Sequence, residues 1–440
     1  MYTRTTSRAG GRRRFHFWSA MVGAIALVSA SCGENIVGPV EPDPPDESNG
    51  RIDITNNSGD LEERINRPNT NVPVDPPSGS QFASPGVSAS ISAASAPITL
   101  TLVAEVLPPT VEGQVVQATS VSIRGLDKVM VSYNMAGAPR LGAIDWIKKL
   151  KSNPDISSSA VFNDSDISAL SFDGNYVYAA EATDAAGFAF PAVLERLRLE
   201  KDKFTLKDNL RIALTSFAAT STVRVDKVVY ATSGDGGHVA GFNRETFELM
   251  GQYALDDARW VAYDKDGKRI VVMQGTPGRI SVFAKGEFPG GSMNLLSTFS
   301  VPGADVAESK STVEIEGDLA LVAAGPEGVQ IVCLDDGRIL GSVPRPDPAT
   351  LGLDPSVVVT NAVTADDEFM FISNGEGGVW VAEGSDKFKD IKCDEPFQVT
   401  MVGRLRFDDL QSVNHVEYKD KHLVVAAGLG GVKLVRVSGI

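Results

Sequence analysis

The chain has 440 residues, a pI near 4.8 and a formal net charge of -15. That length can bury a large core. The acidic balance excludes nucleic acid as a partner class, because phosphate binding needs basic patches.

The first 31 residues hold Arg4, Arg8, Arg12, Arg13 and Arg14 and no acid, so their removal takes the net charge from -15 to -20. A basic stretch precedes the apolar run FWSAMVGAIALVSAS (17–31), which is too short for a stable membrane span. This is a targeting segment. Val28-Ser29-Ala30-Ser31-Cys32 resembles the lipobox of bacterial lipoproteins, with Ser29 where Leu is usual. The resemblance implies cleavage before Cys32 and lipidation of that cysteine; an ordinary secretory signal is the alternative. Gly33 in place of the Asp of inner-membrane retention implies the outer membrane. Arg12-Arg13-Arg14-Phe15 also resembles the twin-arginine export motif, although Gly11 and His16 depart from it; the export route stays open.

Residues 32–97 read as a tether. Ten of the 24 prolines fall within 33–97, in runs such as EPDPPDES and VDPPSGS. Such a segment cannot build a core of its own and is expected to be disordered or extended. Ile52, Ile54, Leu61 and Ile65 offer at most a brief local element.

From residue 98 the chain repeats itself. LALVAAGPEGVQIVCL (319–334), FMFISNGEGGVWV (369–381) and LVVAAGLGGVKLVRV (423–437) share one design: an alternating apolar run, a Gly turn and a second alternating run. VVYATSGDGGHVAGF (228–242) is a further copy, and weaker ones start at Val129, Tyr176 and Ile270, giving steps of 42 to 54 residues. Another strand precedes each copy across an Asp/Gly/Asn hairpin, as VNHVEY does before Asp420-Lys421. A fourth follows in several, as ILGSV does after Asp335-Asp336-Gly337. The period suits a four-stranded propeller blade. The expected fold is therefore all-β: a seven-bladed propeller of antiparallel blades over 98–440. The last blade lacks its outermost strand, and ITLTLVAEV (98–106) is expected to supply it and close the ring.

Chemistry is harder to find. The chain has no G-x-S-x-G elbow, Walker loop, H-E-x-x-H or C-x-x-C. His238 and His415 lack enough companions for a metal set. Asn163-Asp164-Ser165-Asp166 is the best cation candidate, with calcium at Asp164 and Asp166; a capped polar turn is the alternative. Cys333 and Cys393 lie in neighbouring blades, either bridged or as two buried apolar residues. Trp146, Trp260 and Trp380 read as packing between blades, or as one ring for sugar stacking.

The Ala-x-Gly, turn, Gly, apolar-x-apolar pattern of VAAGPEGVQIV, ISNGEGGVWV and VVAAGLGGVKLV resembles the LVIVD-type propeller repeats of bacterial surface proteins. The Asp-Pro that often follows is missing. The resemblance implies the fold and no activity. Three function classes follow: a lipid-anchored, monomeric envelope propeller that binds a protein or glycan; a propeller lyase or glycoside hydrolase; and a quinoprotein-type dehydrogenase. The first is favoured, with no cofactor expected. The inner-strand starts (Thr119, Ser168, Arg259, Ser311, Asn361 and Asn414) are mainly neutral and polar, which predicts a watery pore. Loops entering each blade and loops joining its second and third strands open on one face. That face collects Asp164, Asp166, Asp235, His238, Arg259, Glu327, Asn374, Glu376, Asn414 and His415 as the expected partner surface.

Overall fold

The computed structural model describes residues 45–77, 89–90, 98–307, 309–395, 398–407 and 412–439. Residues 1–44, including Cys32, and 78–88 and 91–97 lie outside the described residues.

Seven antiparallel sheets carry four blade strands each, over 117–162, 165–213, 219–254, 258–300, 313–343, 362–405 and 415–438 with Thr99–Val106. The expected repeat starts fall on the second strand of each blade. Alternation along these strands sends successive side chains to opposite faces of a blade. Both faces are apolar, because each blade packs on two neighbours. Seven buried apolar clusters result, one between each adjacent pair of blades. In blades 5 to 7 the turn between second and third strands needs two left-handed residues three apart. Glycine supplies both: Gly325 and Gly328 (φ 55° and 76°), Gly375 and Gly378 (58° and 83°), Gly428 and Gly431 (58° and 71°).

The ring closes as expected. Thr99–Val106 lies antiparallel beside Val432–Ser438 as the outermost strand of blade 7, from Val432 opposite Val106 to Ser438 opposite Thr99.

The structure differs from the expected loose tether over residues 45–77. Ile52–Thr55 adds a strand to the outer edge of blade 1, Ile65–Asn66 and Thr70–Asn71 add to blade 7, and Val74–Asp75 adds to blade 6. Proline and glycine deny this segment a sheet of its own, but an extended chain can cap an existing edge. Its apolar residues then enter the clusters between blades: Ile52 and Ile54 between 1 and 2, Leu61 and Ile65 between 7 and 1, Val72 between 6 and 7. Arginines pin the strap. Arg51 ion-pairs with Glu195, and Arg64 with Asp145, whose side chain is fully buried and also accepts from Tyr133 Oη at 2.7 Å.

Between blades 5 and 6, Cys333 and Cys393 form a disulfide with a Cα–Cα separation of 5.6 Å.

The strap is therefore part of the folded domain. Arg64→Ala strands the Asp145 carboxylate in the interior, with only Tyr133 as a donor. Urea unfolding should show a loss of about 3–5 kcal/mol. A loss below about 1 kcal/mol would mean that the strap is dispensable.

Candidate functional site

Blade topology defines two faces. The hairpins joining first to second and third to fourth strands lie on one, the hairpin face. The connections that enter each blade or join its second and third strands lie on the other, the loop face.

The hairpin face is laced by ion pairs between neighbouring blades. Lys128 meets Asp202 at 2.6 Å, Arg244 meets Asp173 at 3.6 Å and Lys285 meets Asp226 at 2.7 Å. Arg269 meets Asp335 at 3.1 Å, Lys392 meets Asp318 at 2.9 Å and Lys151 meets Asp420 at 2.5 Å. These pairs take the ring from blade 7 through blade 1 to blade 6. At the remaining step, blade 6 to 7, the strand connection that would supply the partner is the gap between the two ends of the domain. There Asp366 accepts from the Asp420 backbone N–H at 2.7 Å instead.

The loop face holds two cavities beside the central channel. The larger, about 490 Å³, lies over blades 3 and 4 and includes Phe217, Asp235, Asp256, Asp257, Arg259, Trp260, Asp305 and Lys310. The smaller, about 350 Å³, includes Asn134, Lys310, Asn361, Glu376 and Asn414. Lys310 stands between them.

Its position follows from the backbone. The innermost strands of blades 1 to 4 each begin with a bulge, skipping Thr119, Ser168, Thr220 and Arg259 from the strand register. A bulge leaves its extra residue outside the ladder and re-aims it. Two of the freed carbonyls receive Lys310, whose Nζ donates to Thr119 O at 2.6 Å and lies 3.5 Å from Ser168 O. The freed hydroxyls bind across blades, Thr119 Oγ1 to Ile167 O at 2.9 Å and Thr220 Oγ1 to Ala258 O at 2.6 Å. Arg259 folds over Gly275, where a Cβ would fall 1.9 Å from its Nε. It is saturated by Asp257 and by the carbonyls of Val306 and Ser309.

Lys310 is one part of a plug. The Trp260 and His415 rings stack 5.1 Å apart across the channel, and the Lys310 ammonium lies 5.7 Å from the Trp260 ring. This corrects the expectation of an open watery pore. Burial pushes Lys310 down to about 7. Burial, with Lys310 nearby, also holds His415 well below the usual histidine range.

The expected partner surface is only partly brought together. Asp235 and Arg259 share the larger cavity, and Glu376 and Asn414 the smaller. His415 sits in the plug. His238 is buried, and Asn374 is buried, accepting from Thr360 Oγ1 at 2.6 Å. Glu327 is exposed and packs over Gly303. Asp164 and Asp166 each have protein partners. Asp164 is held by Arg51 at 3.3 Å and Arg211 at 3.2 Å, while Asp166 accepts from Met135 N–H at 3.1 Å. Burial raises Asp166 to about 6. Among the described residues no three His, Cys, Asp or Glu side chains are grouped to hold a metal ion. Trp146 and Trp380 are packing residues, at 0% and 1% exposure; Trp260 alone reaches a cavity. Sequence reasoning missed Phe217, Asp305 and Lys310. Their only signal was two irregular connections entering blades 3 and 5.

No protein-family model matches the chain, and no curated protein matches it. Among solved structures it is similar to the WD40 β-propeller domain of Doa1, at 11% identity and a TM-score of 0.48, over 75% of this chain and 95% of that one. It is also similar to the computationally designed Ika8 protein, at 14% identity and a TM-score of 0.44, over 81% of this chain and 100% of that one. A third similarity is to PorZ, a bacterial surface component of the type-IX secretion system of Porphyromonas gingivalis. There the identity is 14% and the TM-score 0.44, over 74% of this chain and 37% of that one.

Lys310 gives the domain a measurable pH signature. An unfolded lysine keeps its proton to about pH 10.4. Below pH 7 both states carry the charge, and its burial weighs fully against folding. Between 7 and 10.4 the unfolded chain binds the extra proton, so stability rises with pH, by up to about 1.4 kcal/mol per unit. Lys310→Met lacks this rise, so urea unfolding between pH 6.5 and 9.5 should show the native protein gaining on the variant. Parallel profiles would mean that the Thr119 carbonyl and the Trp260 ring keep Lys310 charged throughout.

Proposed function

We propose that this protein is a non-catalytic β-propeller of the bacterial cell envelope, with LVIVD-type repeats, that binds a partner protein through its loop face. The observation that carries this reading is the distribution of exposed apolar side chains. Of the eleven large ones among the described residues, Leu107, Val115, Phe190, Phe217 and Leu429 sit on loop-face connections, and Leu126 alone sits on the hairpin face. The other five lie on outermost strands.

Exposed apolar groups around concave, partly polar ground are what a protein interface uses at its centre. Phe217 is 57% exposed at the larger cavity, close to carboxylates that remain in water. The hairpin face offers the opposite: its charges are already neutralised by neighbouring blades, and such solvated pairs add little to binding. A protein partner is favoured over a glycan because the apolar residues are spread along the rim, from Leu107 to Leu429, rather than gathered around one ring.

The address is part of the proposal. Lipidation at Cys32 would tie the chain to the outer membrane. Residues 33–44 then serve as spacer, since 45–77 belong to the domain.

Two outcomes are expected. A Cys32→Ala variant should leave the membrane fraction and stop labelling with fatty acid; unchanged detergent partitioning would remove the anchor from the proposal. In-cell crosslinking should capture a protein through the loop face. A Phe217→Ser, Leu429→Ser double variant should cut that capture at least about tenfold, as expected for loss of two apolar contacts worth over 1 kcal/mol together. Capture that survives this variant but fails in Asp318→Asn or Asp226→Asn would put the interface on the hairpin face.

A further inference from the structure

Below the plug the channel opens into a separate chamber of about 260 Å³, bounded by the innermost strands. Some of its polar groups are paired, as Glu417 is with the Ile123 N–H at 2.9 Å, and others are not. Arg124, at the end of the innermost strand of blade 1, makes no hydrogen bond and no ion pair within 4 Å among the described residues. Its Nε is buried without a partner; Arg224, from blade 3, lies outside the chamber lining, and its Nη1 donates to Asp226 O at 3.5 Å. The two guanidinium groups are near enough to repel each other, and Glu417 compensates Arg124 only through space.

The opposite wall carries the opposite charge. Glu314, from blade 5, uses one oxygen to accept from Thr364 Oγ1 and from the Ala365 N–H, each at 3.2 Å; its second oxygen accepts nothing among the described residues. Thr312 lies two residues before it on the same side of the strand. Its hydroxyl is unpartnered although the residue is only 2% exposed. Burial, with Glu316 and Glu417 nearby, holds Glu314 well above the usual carboxylate range, and burial takes Glu316 up to about 7. Lys389 and Lys419 reach Glu316 through space and moderate it. The aromatic walls are Trp260 and Tyr263.

Buried donors without acceptors and buried acceptors without donors are each costly. Here both kinds face one chamber from different walls, so a single ligand with a charge at each end satisfies both. We propose that the lower chamber binds a small zwitterion, a free amino acid or dipeptide. Its carboxylate lies against Arg124 and its ammonium against Glu314 and the Thr312 hydroxyl. Planar guanidinium groups suit a carboxylate. The ammonium relieves the repulsion that Glu314 and Glu316 suffer. Trp260 and Tyr263 take the carbon skeleton. The Trp260–His415 stack stands between the chamber and the loop face, and Trp260 also lines the larger loop-face cavity; the zwitterion site does not rest on the proposed partner surface.

The test uses the full chain, with L-leucine, L-glutamine, dialanine and glycylglycine as probes, followed by Trp fluorescence and thermal unfolding. Trp260 lines the chamber, so a saturable fluorescence change and a higher melting temperature are expected from at least one probe. The N-acetylated and C-amidated forms of that probe should each bind at least about tenfold more weakly, as loss of a charged hydrogen bond requires. Arg124→Gln and Glu314→Gln should each have the same effect. The comparison of blocked and free probes needs no variant, so the proposal stays testable if a variant fails to fold. It is overturned if no probe binds up to about 10 mM, the weak end of specific recognition. It is overturned equally if the blocked forms bind as well as the free ones, or if acetate alone reproduces the signal.

Discussion

Everything in this domain depends on closing a ring whose last blade is built from both ends of the folded segment. Blades contact only their neighbours, so a gap at one step would expose two apolar faces at once. The antiparallel pairing of Thr99–Val106 with Val432–Ser438 closes that gap with backbone hydrogen bonds. The strap then runs across the same junction on the outside, pairing with blades 1, 7 and 6 and filling the three apolar clusters between blades 1 and 2, 7 and 1, and 6 and 7. The closure strand alone would leave its own outer edge bare. The strap covers that edge at Ile65–Asn66 and Thr70–Asn71.

The same discontinuity explains the hairpin face. Each blade offers a connection between its third and outermost strands to the inner hairpin of the blade before it, and an ion pair forms there. Blade 7 has no such connection, because its outermost strand arrives from the other end of the domain. The link is made by the Asp366 carboxylate and the Asp420 N–H instead. A face committed to holding blades together has few groups left for binding. The loop face carries longer, less regular connections, and its apolar residues and several of its carboxylates are left to solvent.

The blades were legible in the sequence because each is a local object: alternation, hairpin residues and paired glycines all fall within one repeat, and seven copies reinforce one another. The closure strand was legible because the last copy lacked a fourth strand. The strap was not, since Ile52, Ile54, Leu61, Ile65 and Val72 follow no single period and their partners lie some 30 to 330 residues away. The plug was illegible for the same reason. Thr119, Ser168, Trp260, Lys310 and His415 come from five different blades or the loops entering them, and only ring geometry makes them neighbours. Asp164 shows the converse. Its local pattern suggested a cation turn, but long-range partners, Arg51 and Arg211, decide what the carboxylate does.

The plug also divides the channel by chemistry. Above it, Arg259 is saturated by Asp257 and backbone carbonyls, and Lys310 by the carbonyls freed at the bulges, so the cations there are already used. Below it, Arg124 keeps a buried nitrogen without a partner, and Glu314 accepts its hydrogen bonds through one carboxylate oxygen. A domain selected only for stability would replace buried, unmatched charges with apolar residues. Paired charges on the rim and unpaired charges inside one chamber are therefore different kinds of feature. The first holds the ring together at small cost in water; the second weakens the ring unless something else completes it.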